Sequence, residues 1–453
     1  MGNSSSTNTA RDDLYRVHSN GSVKFRQRSG PQDPYRKLHQ LLRANHATYA
    51  VLYNHRKFHN HLPHLLGSAY LLGANGKQLV DLYESESKVL DPWKEDSPAE
   101  VTADDWRNFY GQRVYQRGYK DYFDDEVMQA SYDWKRVVSK YLLADDGTLL
   151  NGLIGGLAHP LIHLAYAYEL DSAELATEAL TLVTTNYPSY AEYVEDFVNK
   201  YDGLVNPSTA KYLEQDPLVI LEHIRESKVF DTMRAELADD FDFPEILAEF
   251  KEEILVHVFR LDVTDLEETL RRLFHTASLL LTATHQTGNY QFDFILLHTL
   301  TASHAVQVLF SRFTQKRRVS LIASLWFFIV LAYIATQRPK VDQERVLNYD
   351  GVLEENRNWD YVVELALTGR MKDDPHYVKA IRALKNLAGL YPASSDLYLR
   401  EAVLFATEAK DYVFGTNNRK SHFRYCETKV TNSPSADPTK WLDIKKLTLT
   451  SIE

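Results

Sequence analysis

Seventeen histidines occur in 453 residues, and several fall where an imidazole is costly to place. The stretch "KFHNHLPHLLGSAYLLGA" holds His59, His61 and His64 and then runs into an apolar segment. "GLAHPLIHLAYAYEL" repeats the arrangement with His159 and His163. Proline suits the first turn of a helix, where its missing N–H would have had no partner. Pro63 and Pro160 therefore predict two helix starts, with His61 just before the first and His159 as N-cap of the second. His159 and His163 are four residues apart and stack on one helix face. The positive end of the helix dipole disfavours imidazolium, and neutral imidazole is the form that binds metal. The pattern points to a metal site drawing on His61 or His64 and on His159 or His163. The competing account is a set of core histidines hydrogen-bonded to backbone or tyrosine.

Two further stretches carry the same chemistry. "FDFILLHTLTASHAV" puts His298 beside Ile295, Leu296 and Leu297, where a polar ring needs a partner. His304 lies about 240° around the same helix and faces another way, so His298 is the ligand candidate. In "DDPHYVKAIRAL", His376 and Lys379 share a helix face behind a turn of acids. Imidazoles without thiolates suit iron, zinc, copper or nickel, so ligand type does not choose among them. The histidine clusters contain no acid, and the nearest are Glu169 and Asp293. Tyr166, Phe292 and Phe294 are the aromatic residues nearest the histidines and candidates for a flat apolar pocket, with core packing as the alternative.

Other chemistries are missing. The sequence has no HExxH, no GxSxG and no P-loop. "GLIGGL" lacks the GxGxxG spacing and follows no strand, so it is a poor dinucleotide loop. A net charge of −11 without a basic face argues against nucleic acid. One cysteine, Cys426, rules out an internal disulfide, an iron–sulfur cluster or a cysteine-built zinc site.

The elements that must hold these residues are helices. Apolar residues recur at helical spacing over Tyr35–Tyr53, Arg113–Leu143, Ser172–Thr185, Pro244–Phe259, Leu266–Thr284 and Phe292–Phe313. Shorter helices fit Tyr361–Leu367, His376–Tyr391 and Ser395–Thr407, and alternating β-branched runs are scarce. The expected fold class is all-α: a single large multi-helix domain over 34–426, a polar flexible arm over 1–33, and an irregular strap over 427–453. Val319–Gln337 is uncharged and long enough to cross a membrane. A central helix covered on every face explains it as well and is preferred, so no stable membrane insertion is expected. "MGNSSS" matches the N-myristoylation pattern, and a serine-rich leader is its plainer reading. With no secretory signal at the start, a cytoplasmic location is expected.

Four stretches occur in an order that resembles the questin oxidase-like family: the segment Asp33–Ala74, "WRNFYGQRVYQRGYKDYFDDEV", "GLAHPLIHLAYAYEL" and "DDPHYVKAIRAL". The resemblance implies an oxidoreductase of polyketide secondary metabolism that opens the central ring of an anthraquinone-type substrate. One form of the family chemistry is a non-haem iron dioxygenase that takes Fe(II) and O2, its metal held by histidines and a carboxylated lysine. The motif match would make that lysine Lys379, with His61, His64, His159, His163 and His298 as the histidine ligands and Lys379, His163 and His298 nearest the chemistry. NADPH would serve only as a reductant. The other form is an NADPH-dependent Baeyer–Villiger monooxygenase. It would insert oxygen beside a carbonyl, although the chain lacks the dinucleotide-binding pattern that flavin enzymes of that kind need. A helical binding protein without catalysis is the third reading, and it would hold no stoichiometric iron.

Overall fold

Asp33 accepts a hydrogen bond from the Tyr35 amide and Pro34 occupies the first turn, so helix α1 begins at Pro34 and runs to Thr48 (Pro34–Thr48). This computed structural model describes residues 33–94, 96–204, 213–233, 243–286 and 288–414. The expected arm, apart from Asp33, the myristoylation pattern, Cys426 and the C-terminal strap lie outside the described residues.

The fold is all-α. The helices that build and surround the site are α2 (Leu62–Leu71), α3 (Gln116–Gln129), α4 (Gly155–Leu170), α5 (Ala173–Thr185), α6 (Ala191–Leu204), α7 (Phe243–Val258), α8 (Leu266–Thr282), α9 (Phe294–Phe310), α10 (Gln315–Ala335), α11 (Pro375–Leu390) and α12 (Ser395–Glu408). Among the described residues the strands form two short pairs. Leu52–Tyr53 (β1) runs antiparallel to Phe58–His59 (β2), and Phe292–Asp293 (β3) runs parallel to Tyr412–Val413 (β4). α4 lies at the centre, packed on α5, α9 and α2, while α11 packs on α2, α9 and α12. Four helices distant in sequence thus meet around one interior point.

Three expected helices end differently. Tyr35–Tyr53 stops at Thr48, because Tyr49 turns extended and Leu52–Tyr53 pairs with β2. Arg113–Leu143 divides into α3 and a second helix, Trp134–Leu142. Left-handed Ser131 and Tyr132 break the run, and Asp133 caps the new start by accepting from the Arg136 amide. Phe292–Phe313 loses its first residues to β3, and Asp293 then caps α9 through the amides of Ile295 and Leu296.

The apolar run near Val319 becomes α10, and 94% of its apolar window is buried inside the protein. α6, α7, α8 and α9 cover it, and the Trp326 indole N–H donates to the Val258 carbonyl. Each large apolar side chain fully buried there contributes about 1.5–3 kcal/mol. Protein, rather than lipid, satisfies this helix.

Candidate metal centre

His61, His159, His298 and His376 converge. One ring nitrogen from each lies within 4.8 Å of those of the other three, and all four rings are buried. The Nε2 atoms of His61 and His159 approach to 2.7 Å. The residues come from the N-cap of α2, the start of the regular part of α4, the second turn of α9 and the first turn of α11.

Local backbone explains how each ring is aimed. Asn60 accepts from the Leu62 amide and donates to Asn45 and the Ala50 carbonyl, which fixes the entry to α2 just beside His61. In α4, Gly156, Leu157 and Ala158 are all left-handed, with φ of 54°, 57° and 60°. Leu157 and Ala158 in this region cost about 1–2 kcal/mol each. Regular helical geometry resumes at His159, so Pro160 sits one position later than expected. The kink turns the Gly156 carbonyl onto Nδ1 of His159. His298 likewise donates Nδ1–H to the Phe294 carbonyl at 2.7 Å. In both rings this fixes the tautomer and puts the lone pair on Nε2, which in His159 meets His61 Nε2 and in His298 points into the cluster. Asp374 caps α11 through the amides of His376 and Tyr377 and stands 3.4 Å from His376 Nδ1.

Electrostatics favour neutral ligands. Burial, then the charge of Lys379, holds the imidazoles of His61 and His376 well below their ordinary range and that of His298 at about 3. His159 is held well below by burial and by the neighbouring histidines. Lys379 is itself 2% exposed, and its Nζ has no hydrogen-bond partner among the described residues. Burial lowers its ammonium to about 7, against a weaker opposing pull from Asp374. A buried amine that is substantially neutral near pH 7 is a nucleophile and a potential ligand, unlike a surface lysine.

The remaining expected residues go elsewhere. His64 and His163 are one turn further along their helices and bond to each other, Nε2 to Nδ1, at 3.0 Å. His163 Nε2 lies 2.7 Å from Glu178, the other carboxylate oxygen of Glu178 is 2.9 Å from His46 Nδ1, and His46 Nε2 is 3.0 Å from Asp124. The sequence reading had singled out neither His46, Glu178 nor Asp124. Glu178 gave a signal, a lone acid inside the apolar run "LATEALTLV". His376, which shares a helix face with Lys379, joins the cluster, while His59 stacks on His159 at 4.1 Å and bonds to Asn186.

Of the alternative acids, Glu169 pairs with Arg382 through one carboxylate oxygen, and Asp293 caps α9 through Oδ1. A small cavity, about 10 Å³ for the centre of a water-sized molecule, is lined by Lys379, Tyr166, Glu169 and His304. Such a volume holds about one small molecule, far less than a tricyclic substrate. Phe294 meets His298 and His376 at 4.6 Å each, with Tyr412 and Phe414 beyond it, so these partly buried rings form the outer wall of the cluster. Phe292 is core, packed on Phe405. "GLIGGL" serves packing: a Cβ on Gly155 would sit 2.0 Å from the Asn186 carbonyl oxygen.

Four neutral imidazoles converging in a buried site beside a buried amine fit a divalent transition metal. The family model described as questin oxidase-like matches residues 58–384, a span holding all four histidines and Lys379. The chain belongs to the questin oxidase-like family. It is 25% identical over 391 residues to a Baeyer–Villiger oxidase of Pestalotiopsis microspora, covering 79% of this chain and 83% of that one. It is 25% identical over 376 residues to a questin oxidase of Aspergillus fumigatus, covering 79% and 82%. A Baeyer–Villiger monooxygenase of a Cryptosporiopsis species is 23% identical over 413 residues, covering 82% and 88%. Membership makes this family protein an oxidoreductase rather than a binding module.

Proposed function

We propose that this family member is a non-haem iron oxygenase that opens the central ring of an anthraquinone-type polyketide. The observation that carries the reading is the convergence of His61, His159, His298 and His376 beside the buried, partnerless Lys379. These four imidazoles would hold Fe(II), and Lys379 would add the anionic ligand that four neutral rings lack. Its neutral amine would take up CO2: an N–C bond forms, one C=O bond becomes a carboxylate, and one N–H proton leaves. A carbamate oxygen then balances metal charge in a site where unpaired charge is costly. Bound there, Fe(II) supplies O2 activation beside a ring carbonyl. Phe294, with Tyr412 and Phe414, would offer a flat hydroxylated ring an aromatic face and exclude water from the cluster. The names of relatives, questin oxidase and Baeyer–Villiger oxidase, support the substrate class and the oxygen chemistry.

Those same names favour a second reading, an NADPH-dependent Baeyer–Villiger monooxygenase. The described residues form only two short strand pairs, a poor setting for a dinucleotide-binding sheet. Anaerobic purification with metal analysis, followed by a single turnover under labelled O2, separates the two. About one iron per chain and two labelled oxygen atoms in the product support the dioxygenase. One labelled atom with stoichiometric NADPH oxidation and no metal requirement would replace it with the monooxygenase.

A further inference from the structure

Beside the histidine cluster runs an unbroken line of hydrogen-bonded side chains. It starts at His64, whose ring lies edge-on to His61 at 5.6 Å and stacked on Tyr166 at 5.1 Å. It continues through His163, Glu178 and His46 to Asp124, in steps of 3.0, 2.7, 2.9 and 3.0 Å. Lys120 donates to the same Asp124 oxygen at 2.7 Å and lies 3.8 Å from Asp121. Exposure rises along the line: His64 and Glu178 are buried, the His46 side chain is 12% exposed and that of Asp124 is 30% exposed. Four helices contribute, α2, α4, α5 and α1, with α3 supplying the outer end.

The carboxylates fix the protons on the nitrogens that face them. An ionised carboxylate only accepts, so Glu178 takes hydrogen bonds from His163 Nε2–H and His46 Nδ1–H, and Asp124 takes one from His46 Nε2–H. With one proton on the His163 ring, its Nδ1 accepts from His64 Nε2–H. His64 Nδ1 is then left bare, and it has no partner in the protein. The line ends inside the molecule on an open acceptor, against a ring of the candidate metal centre.

We infer that the line from His64 to Asp124 is a proton relay between the buried centre and solvent, with Glu178 as its pivot. The proton it carries is the one a phenolic substrate must lose to bind as phenolate, so the inference rests on the proposed oxygenase for its source. The transfer balances. The substrate O–H breaks and His64 Nδ1–H forms. His64 passes its Nε2 proton to His163 Nδ1, and His163 passes its own to Glu178. His46 releases its Nε2 proton to Asp124 and so to water. One proton enters and one leaves, while His64 and His163 keep their charge throughout. Glu178 and His46 exchange a carboxylate–imidazolium pair for a neutral acid and a neutral ring. The reverse sequence returns a proton when the product is protonated.

Two measurements test this, one of them independent of turnover. In metal-free protein labelled with 15N-histidine, the buried His163 Nε2 proton should exchange with water much faster than global opening permits. Asp124→Asn, at the outer end, should slow that exchange at least tenfold. In iron-loaded protein, Asp124→Asn and Glu178→Gln should lower turnover by about 10–100-fold, the range of a lost proton-transfer group, at unchanged iron content. Small imidazole in the buffer should restore part of the activity of His46→Ala. Exchange that is slow in the wild type, or untouched by Asp124→Asn, overturns the relay. So does a loss of turnover that tracks a loss of iron. If the wild type opens no anthraquinone, the oxygenase reading fails by itself, and the exchange rates still decide the relay.

Discussion

The protein contains two groups of buried histidines about one helical turn apart, and they are built on opposite rules. In the cluster of His61, His159, His298 and His376, rings face rings, and backbone carbonyls take the spare N–H of His159 and His298. In the line of His64, His163 and His46, imidazoles alternate with the carboxylates of Glu178 and Asp124. Backbone carbonyls add no charge, so the first group stays neutral and ready for a cation. Carboxylates add full charge. His46 is disfavoured as a cation by its burial, yet hydrogen bonds to Asp124 and Glu178 outweigh that and raise it to about 9. The same side chain becomes a ligand or a charge carrier according to what its second nitrogen meets.

The largest way to break this contrast is to remove a member of the neutral cluster. His298→Ala should abolish stoichiometric iron binding and turnover together while the fold persists, checked by metal analysis and circular dichroism. The core does not depend on that ring. Removing the pivot of the charged line should do the reverse. Glu178→Ala leaves two buried imidazoles without their shared acceptor, and should cost about 3–5 kcal/mol of stability in chemical denaturation while iron binding survives.

A smaller effect sharpens the contrast through pH. His46 holds its proton more tightly in the folded protein, at about 9 against an ordinary 6.5. Its contribution, on the order of 3 kcal/mol, is therefore complete below pH 6.5 and is lost as pH rises through about 9. Asp124 runs the other way. Burial opposes its ionisation, but the bond to His46 prevails and holds it at about 2, so its share is present above pH 3.8 and fades as pH falls toward 2. The wild type should show an alkaline decline in denaturation midpoint between pH 6.5 and 9, and His46→Gln should lose it. The smallest effect is at Gly156, left-handed and facing His59 Nε2 at 2.8 Å from an added Cβ. Gly156→Ala should cost about 1–2 kcal/mol and weaken iron binding a few-fold by shifting His159, read by metal titration.

The all-α fold, the two histidine-rich motifs and the choice of His298 over His304 were legible because apolar periodicity and costly imidazoles are local signals. The division within each motif was not. "HLPH" and "HPLIH" each supply one ring to the neutral cluster and one to the charged line. Helical spacing shows that two rings share a face, but it does not say which neighbour each will meet. That depends on the three-residue left-handed turn before His159 and on Glu178 arriving from α5, both set by tertiary packing. His376 was visible beside Lys379, yet its place among the ligands required α11 to lie against α2 and α9. The early end of α1 and the split near Tyr132 followed from caps and extended residues that periodicity does not register.

Iron stoichiometry in two neighbouring variants tests the account most directly. His159 and His163 lie one turn apart on α4, and the account assigns them to different groups. Each variant would be loaded anaerobically with Fe(II), freed of excess and analysed for iron per folded chain. His159→Ala should retain almost none, and His163→Ala should retain about one iron per chain. Iron lost from His163→Ala but kept by His159→Ala would contradict the division on which the proposed centre and the relay both stand.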